Sequence, residues 1–206
     1  MSTRAADNRE VPGEAADVGS ATGAAFQPPL SVTRPELLRE GSDTAFRAVI
    51  WDLLVVANRL QKFPEAFGRE LDISSAQYAV LIATAHIQGT RGTGIRQLAD
   101  HMHLPAPHVT TTVGRLVAAG LLAKRPNPED GRGVLVSLAS EGEAALERLA
   151  PFQQQVNDTL FGGLSREDFD GFGQLIKTMV GNSRRALATV ADRQQDDDAT
   201  PRQAAE

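Results

Sequence analysis

Residues 95–138 read IRQLADHMHLPAPHVTTTVGRLVAAGLLAKRPNPEDGRGVLVSL, and the order of patterns in this stretch decides the fold. Its first half has two segments of helical period, predicted as helices over about 94–101 and 106–119, with Leu104 closing the turn between them. Its second half has two β-rich segments on either side of the turn-forming residues 127–131. The stretch therefore predicts a helix-turn-helix followed directly by a β-hairpin.

The second helix of this pair has two chemically different faces. Its apolar positions are predicted to pack against the first helix, and they are Val109, Val113, Leu116 and Val117. The opposite face is polar and carries His108, Thr111, Thr112 and Arg115, with Thr110 on the flank. Such side chains can reach base edges or phosphates when a helix lies in the major groove of DNA. The alternative is a pair of ordinary amphipathic helices in a bundle, and the hairpin that follows favours DNA binding.

The hairpin is predicted to be a wing beside this recognition helix. Arg132 lies at its expected tip, and Lys124 and Arg125 lie on the strand that leads there. Arginine suits a narrow minor groove because its guanidinium meets concentrated negative potential there. We therefore expect these three cations, together with the five polar residues of the helix, to contact DNA.

The distribution of charge agrees with this assignment. The formal net charge is −5, which is unusual for a protein that binds phosphates. Residues 74–139, however, carry six Lys or Arg against three Asp or Glu, and the flanking segments carry no basic excess. Local charge matters more than the total for a phosphate-binding surface.

Amphipathic helices are predicted on both sides of the winged segment. Apolar residues recur at helical spacing over about 44–67, where Pro64 should interrupt the helix. Capping boxes are predicted to start helices at Ser74, Ser140 and Ser165. The two flanking groups have more apolar positions than one small winged helix can cover, so we expect a homodimer through about 44–60 and 152–190.

These patterns divide the chain into five segments. We predict a disordered tail over 1–33, an N-terminal helical dimerisation segment over 34–73 and a winged helix-turn-helix over 74–139. C-terminal dimerisation helices follow over 140–191, and a disordered acidic tail over 192–206. The expected fold class is mainly α with a small β-wing.

The stretch 73–149 resembles the multiple antibiotic resistance regulator (MarR) family. The wing signature Asp130-x-Arg132, at this distance from Gly120-Leu121-Leu122, is fairly specific for that family. Further matching motifs are Ser75-Ala76-Gln77-Tyr78-x-Val80-Leu81, Leu98-Ala99 with Leu104, Val109-Thr110, Arg115-Leu116, Arg125-Pro126, Pro128-Glu129-Asp130, Val134-Leu135-Val136-Ser137-Leu138 and Glu141-Gly142.

The resemblance implies a homodimeric transcription regulator on a pseudo-palindromic operator in double-stranded DNA, with Arg132 in the minor groove. It also implies repression that a small aromatic or acidic ligand relieves. The chain departs from the family at Gly131, which replaces the first of two wing arginines, and at 105–107, where a Ser or Thr cap is usual. The recognition helix also lacks an extra arginine, so base readout should depend on the threonines, on His108 and on DNA shape. The alternative function is a helical dimer module whose winged helix binds another protein.

Trp51, Arg59, Phe63 and Tyr78 are the candidates for a ligand pocket. Such pockets are mostly apolar with a few placed polar groups, and Arg59 could pair with a carboxylate. The alternative is that these residues pack in the core or in the dimer interface.

Four histidines, His86, His101, His103 and His108, lie around the winged segment, and a zinc site is the rival interpretation. Zinc requires about four convergent ligands. His101 and His103 are two residues apart and would point in different directions from one helix. We therefore expect surface or interface imidazoles and no metal site.

The composition excludes several other classes. There is no cysteine, so disulfides, thiolate metal sites and cysteine redox sensing are ruled out. The sequence has no HExxH motif, phosphate-binding glycine loop or nucleophile elbow, so we expect neither an enzyme nor a cofactor. No apolar run reaches the ~18 residues of a membrane span, and no signal region is visible, so we expect a cytoplasmic protein without a membrane partner.

Overall fold

The computed structural model describes residues 26–199, except the side chains of residues 130–132 and 196–199. Within that range the chain is mainly α-helical with one small sheet, which confirms the predicted fold class. The helices are α1 (Thr44–Leu60), α2 (Phe63–Glu70), α3 (Ser75–Ile87), α4 (Ile95–Met102), α5 (Ala106–Ala118), α6 (Ser140–Leu160) and α7 (Arg166–Ala199). The strands are β1 (Thr93–Gly94), β2 (Leu122–Asn127) and β3 (Asp130–Leu138).

Two of the three predicted capping boxes form. At the start of α3, the Gln77 amide donates to the Ser74 hydroxyl at 3.2 Å, and the Ser74 amide donates to the Gln77 side chain at 3.0 Å. Ser165 and Asp168 exchange equivalent bonds before α7, and those bonds hold the pKa of Asp168 below its usual value. The box predicted at Ser140 is wrong, because α6 starts one residue earlier and its N-cap is Ala139.

The first of two structural units ends at Ala57. Hydrogen bonds around Asp43, which we call the polar latch, fix the chain at the start of α1. Asp43 accepts hydrogen bonds from the Ser31 amide and hydroxyl, at 2.7 and 2.6 Å, and from Arg47 Nε at 2.9 Å. Arg47 also donates to the Pro29 carbonyl at 2.6 Å. The hydrogen bonds from Arg47 and then from Ser31 hold the pKa of Asp43 well below its usual range. The latch fixes part of the tail predicted as disordered, of which residues 1–25 lie outside the description.

The second unit, from Asn58 onward, contains the helix-turn-helix and the sheet. The predicted buried face of α5 is confirmed, since Val109, Val113 and Leu116 are each 0% exposed and Val117 is half-buried at its edge. They pack in one cluster with apolar residues of α3, α4, both long strands and α6. The sheet has the order β1-β3-β2 with antiparallel pairing throughout. Strand β1 was not predicted, because two residues are too few to show an alternating pattern.

Two helix ends differ from the sequence analysis. The first helical segment divides before Pro64 rather than at it, and the proline lies in the first turn of α2, where its missing amide costs no hydrogen bond. Helix α7 continues to Ala199, into the acidic segment that was predicted as disordered from 192.

Gly142 provides a test of the packing between α6 and the sheet. A Cβ at this position would overlap the backbone carbonyl of Leu121, which cannot move without displacing β2. We expect Gly142→Ala to lower the free energy of unfolding by about 1–3 kcal/mol, measured by urea denaturation. Gly171→Ala, in α7, meets nothing within 4 Å and should raise stability by about 0.5–1 kcal/mol. Equal effects at both glycines would contradict the packing.

Candidate nucleic-acid interface

Helix α5 presents a polar face to solvent. His108, Thr110, Thr111 and Arg115 are all exposed, as predicted from their spacing opposite the apolar face. Burial of the other face holds the helix axis in place, so these side chains project from a fixed surface. Among the described residues Arg115 has no acidic partner, which leaves its guanidinium available to a phosphate or a guanine.

Thr112 was expected on the face that contacts DNA, but it lies on the buried side of α5. Its side chain is only 4% exposed, and its hydroxyl donates to the His108 carbonyl at 3.0 Å. It lies three residues after Val109 and four before Leu116, so the helical repeat turns it toward the core. Thr112 therefore belongs to the support of the recognition helix and not to its exposed face.

The two exposed threonines have a defined hydrogen-bonding character. The Thr110 hydroxyl donates to the Ala106 carbonyl at 2.8 Å, and the Thr111 hydroxyl donates to the Pro107 carbonyl at 3.1 Å. Because each hydroxyl hydrogen is used inside the helix, the outward lone pairs of the oxygen act as acceptors. Acceptors of this kind match the amino groups of adenine and cytosine in the major groove.

The wing is a long antiparallel pair of strands next to α5. Strand β2 pairs with β3 from Leu122↔Leu138 to Asn127↔Asp130, with an irregularity after Pro126. Lys124 is exposed and has no acidic partner among the described residues, whereas Arg125 donates to the backbone carbonyl of Arg91 at 2.5 Å. Arg132 lies in β3 close to the turn, and its side chain is outside the description.

Sequence reasoning missed Arg91 and Glu129. Arg91 lies in the connector between α3 and α4, and its guanidinium donates to the Glu129 carboxylate in the wing turn at 2.9 Å. The two residues are 38 positions apart, and no local pattern links them. Arg91 and Glu129 could be recognised as an ion pair only after the sheet order had shown that the connector and the wing turn are neighbours.

The residues predicted to bind a ligand occupy different environments. Trp51, on α1, is 69% exposed, and Arg59 is also exposed. Tyr78 is buried against Phe67, with ring centroids 5.4 Å apart, and burial raises the pKa of its phenol. Phe63 is half-buried and lines a cavity of about 410 Å³ with Phe152, Gln155, Val156, Thr159 and Leu160.

The four histidines are all exposed. Across residues 26–199, no group of three or more potential ligands is placed to hold a metal ion. His103 adopts a left-handed conformation (φ 53°) at the C-terminal end of α4, and its Nδ1 lies 2.7 Å from a guanidinium nitrogen of Arg184. Because arginine can only donate, Nδ1 accepts in this contact.

A helix pair with an exposed second helix, followed by a β-hairpin with basic residues, defines the winged helix-turn-helix class of DNA-binding proteins. Residues 71–133 match the family model described as the MarR family. This winged segment is therefore similar to the DNA-binding transcriptional regulators of the MarR family. No helix in the described part of the chain is both long and apolar enough to span a membrane.

Individual relatives agree with the family assignment. The transcriptional regulator HosA of Escherichia coli O111:H- is 28% identical over 109 residues, which cover 53% of this chain and 78% of HosA. A mutant MarR from E. coli, solved in complex with operator DNA, is 25% identical with a TM-score of 0.53, over 67% of this chain and 99% of that one. A MarR/EmrR family regulator from Acinetobacter sp. ADP1 shares the fold at 16% identity, with a TM-score of 0.57, over 69% of this chain and 99% of that one.

Neighbouring threonines of α5 allow a matched test of the exposed face. Thr111→Val removes an outward acceptor while keeping the shape of the side chain, so it should cost about 1–3 kcal/mol on a duplex that the wild type selects from random-sequence DNA. It should cost little on a scrambled duplex. Thr112→Val removes the same group from the buried face and should leave both affinities unchanged. Fluorescence anisotropy titrations measure both, and an equal loss from the two variants would contradict the assignment of faces.

Proposed function

We propose that the protein is a homodimeric, sequence-specific repressor that binds a pseudo-palindromic operator and is released by a small aromatic or acidic ligand. The observation that carries the proposal is the exposed polar face of α5, fixed by burial of its opposite face, next to a wing that bears cations. The function is binding, without a catalytic step or a cofactor.

In this proposal α5 enters the major groove and the wing follows the DNA backbone. His108, Thr110 and Thr111 read base edges, Arg115 and Lys124 contact phosphates or bases, and Arg132 enters the adjacent minor groove. The MarR relative solved with operator DNA supports this docking, because its likeness covers 67% of this chain and 99% of that one. Arg125, which was also predicted to contact DNA, is engaged with the Arg91 carbonyl.

Dimerisation is supported by apolar side chains that this chain leaves uncovered. Helix α7 has a stripe of them at helical spacing, and α1 exposes others on two of its faces. Large exposed apolar surfaces mark interfaces, and the commonest closed assembly is a twofold dimer. A twofold dimer presents two copies of α5, which explains why the operator should be a pseudo-palindrome. The exposed residues are Val49, Trp51, Leu54 and Val56 on α1 and Phe169, Phe172, Leu175, Met179, Val180, Leu187 and Val190 on α7.

Light scattering coupled to size exclusion tests the dimer. The wild type should elute as a species of about twice the chain mass of 22.0 kDa at micromolar concentration. Leu175→Glu, with a side chain that is 66% exposed on α7, should shift the equilibrium toward monomer, because it buries a charge in the interface. Lys177→Glu, on the same helix but not in the stripe, is the control. A wild type that stays monomeric would refute the dimer.

Ligand release is proposed to act through Trp51, Arg59, Phe63 and Tyr78. The apolar cavity beside Phe63 has a volume within the range of small-molecule sites, and Arg59 is exposed and supplies a cation for an acidic group. A ligand shifts DNA affinity only when it binds the two states of the protein differently. The proposal therefore requires ligand binding and DNA release to be linked.

Trp51 is the single tryptophan and reports on this linkage. A panel of phenolic carboxylates and their thioesters should contain a compound that quenches Trp51 fluorescence and weakens DNA binding over the same concentration range. Arg59→Gln should reduce both effects together if Arg59 pairs with the carboxylate. A panel that changes neither signal would contradict an aromatic or acidic ligand class.

A further inference from the structure

Two contacts tie the wing to the connector between α3 and α4, and a third lies within the turn of the wing. Arg125, on β2, donates to the backbone carbonyl of Arg91 at 2.5 Å. The Arg91 side chain runs back to the wing and donates to the Glu129 carboxylate at 2.9 Å. The Glu129 amide in turn donates to the Asn127 side chain at 3.1 Å, which orders the turn. We call Arg91, Arg125 and Glu129 the wing brace.

The connector end of the brace is fixed to the sheet from the other side. Thr93 pairs with Val136 across β1 and β3, and the Thr93 side chain is 1% exposed. Gly92 has φ +76°, and a Cβ there would lie 2.9 Å from the Val136 carbonyl oxygen, so only glycine permits this close approach. The connector is therefore held against β3, and the brace connects this fixed point to β2 and to the turn of the wing.

The negative charge of Glu129 is not explained by direct contact between the wing and DNA. A carboxylate at the turn of a wing repels the phosphate backbone and reduces affinity. Here the carboxylate is neutralised by Arg91, and it lies three residues before Arg132. Both side chains of the pair are highly exposed, at 79% and 73%, so the pair contributes little to the stability of the fold. The main effect of the Arg91–Glu129 ion pair is therefore on the position of the wing turn.

We propose that the wing brace sets the angle of the wing, and with it the position of the strand backbone at Arg132, which makes Arg91, Arg125 and Glu129 positioning residues for DNA binding. Arg125 acts through the Arg91 carbonyl and not as a phosphate contact. This inference rests on the proposed function and adds to it residues that the family resemblance does not single out as DNA contacts.

The variant Glu129→Gln tests the brace, because electrostatic repulsion alone and loss of the brace predict opposite changes in DNA affinity. Loss of a carboxylate near phosphates tightens binding if electrostatics alone decides, whereas loss of the brace weakens it. We expect the Kd to rise about twofold to fivefold, the range of an exposed ion pair. Asp100→Asn removes the same charge from α4, where the carboxylate is exposed and has no bonded partner among the described residues, and it should bind DNA as tightly as the wild type or more tightly. Each variant is titrated by anisotropy on a wild-type-selected duplex and on a scrambled one.

Two further variants show whether the effect passes through the pair and through Arg132. Arg91→Glu combined with Glu129→Arg restores an ion pair at unchanged net charge and should recover most of the affinity that either single substitution loses. In an Arg132→Ala background, Glu129→Gln should cause no further loss, because the wing then lacks the cation whose position the brace is proposed to control. Arg125→Gln should weaken binding at an unchanged salt slope, whereas a lost phosphate contact lowers the slope by about one unit.

The outcomes separate the brace from the proposed function. Glu129→Gln binding as tightly as the wild type, or a loss that persists in full without Arg132, overturns the brace and leaves the repressor proposal intact. A charge swap that fails to recover affinity also overturns it. A wild type that binds neither duplex overturns both.

Discussion

Burial of one face of α5 against α3 and α4 is the constraint on which the rest of the molecule depends. Val109, Val113 and Leu116 are fully removed from solvent in a cluster with Leu81 and Leu98. Burial of each such side chain contributes roughly 1.5–3 kcal/mol, so a rotation of the helix that exposed them would cost several times that amount. The polar face is therefore held outward by the core itself, and α5 needs no side-chain cap to stay in place.

The elements around α5 extend this constraint outward. Helix α6 comes close enough to the sheet that Gly142 has no room for a side chain beside the Leu121 carbonyl. The wing begins at that same point, since Leu122 pairs with Leu138 at the base of β2 and β3. The core thus supports the exposed polar face of α5, which is proposed to read DNA, while α7 carries the apolar stripe that a second chain is proposed to cover.

The sequence was sufficient to predict these main features because each one has a local periodic signal. The helix-turn-helix, the hairpin and the box at Ser74 follow from spacing and turn chemistry. Thr112 was predicted on the exposed face because it is polar. Its spacing of three residues from Val109 and four from Leu116 already indicated the buried face. Ser140 failed as a cap because the helix frame is shifted by one residue, which only the pairing of the Ala139 amide with the Leu121 carbonyl reveals.

Features that depend on contacts between distant residues were not predictable. The brace joins Arg91 to Glu129 across 38 positions, and β1 exists only because β3 offers it a free edge. The same reason explains why the hydrogen bond from Arg125 to the Arg91 carbonyl was not predicted for a basic residue on the strand leading to the wing tip. Residue type and local spacing do not reveal which of several cations a backbone carbonyl will engage.

Selection of binding sites from random-sequence DNA by the full chain shows whether two copies of α5 bind DNA together. A twofold dimer that inserts α5 into successive major grooves should enrich two inverted half-sites whose centres lie about 10 base pairs apart, or a multiple of that distance. Enrichment of adenine or cytosine amino groups opposite Thr111 would agree with the acceptor character of its hydroxyl. A library that shows no enrichment, or a single half-site without its inverted partner, would contradict the account.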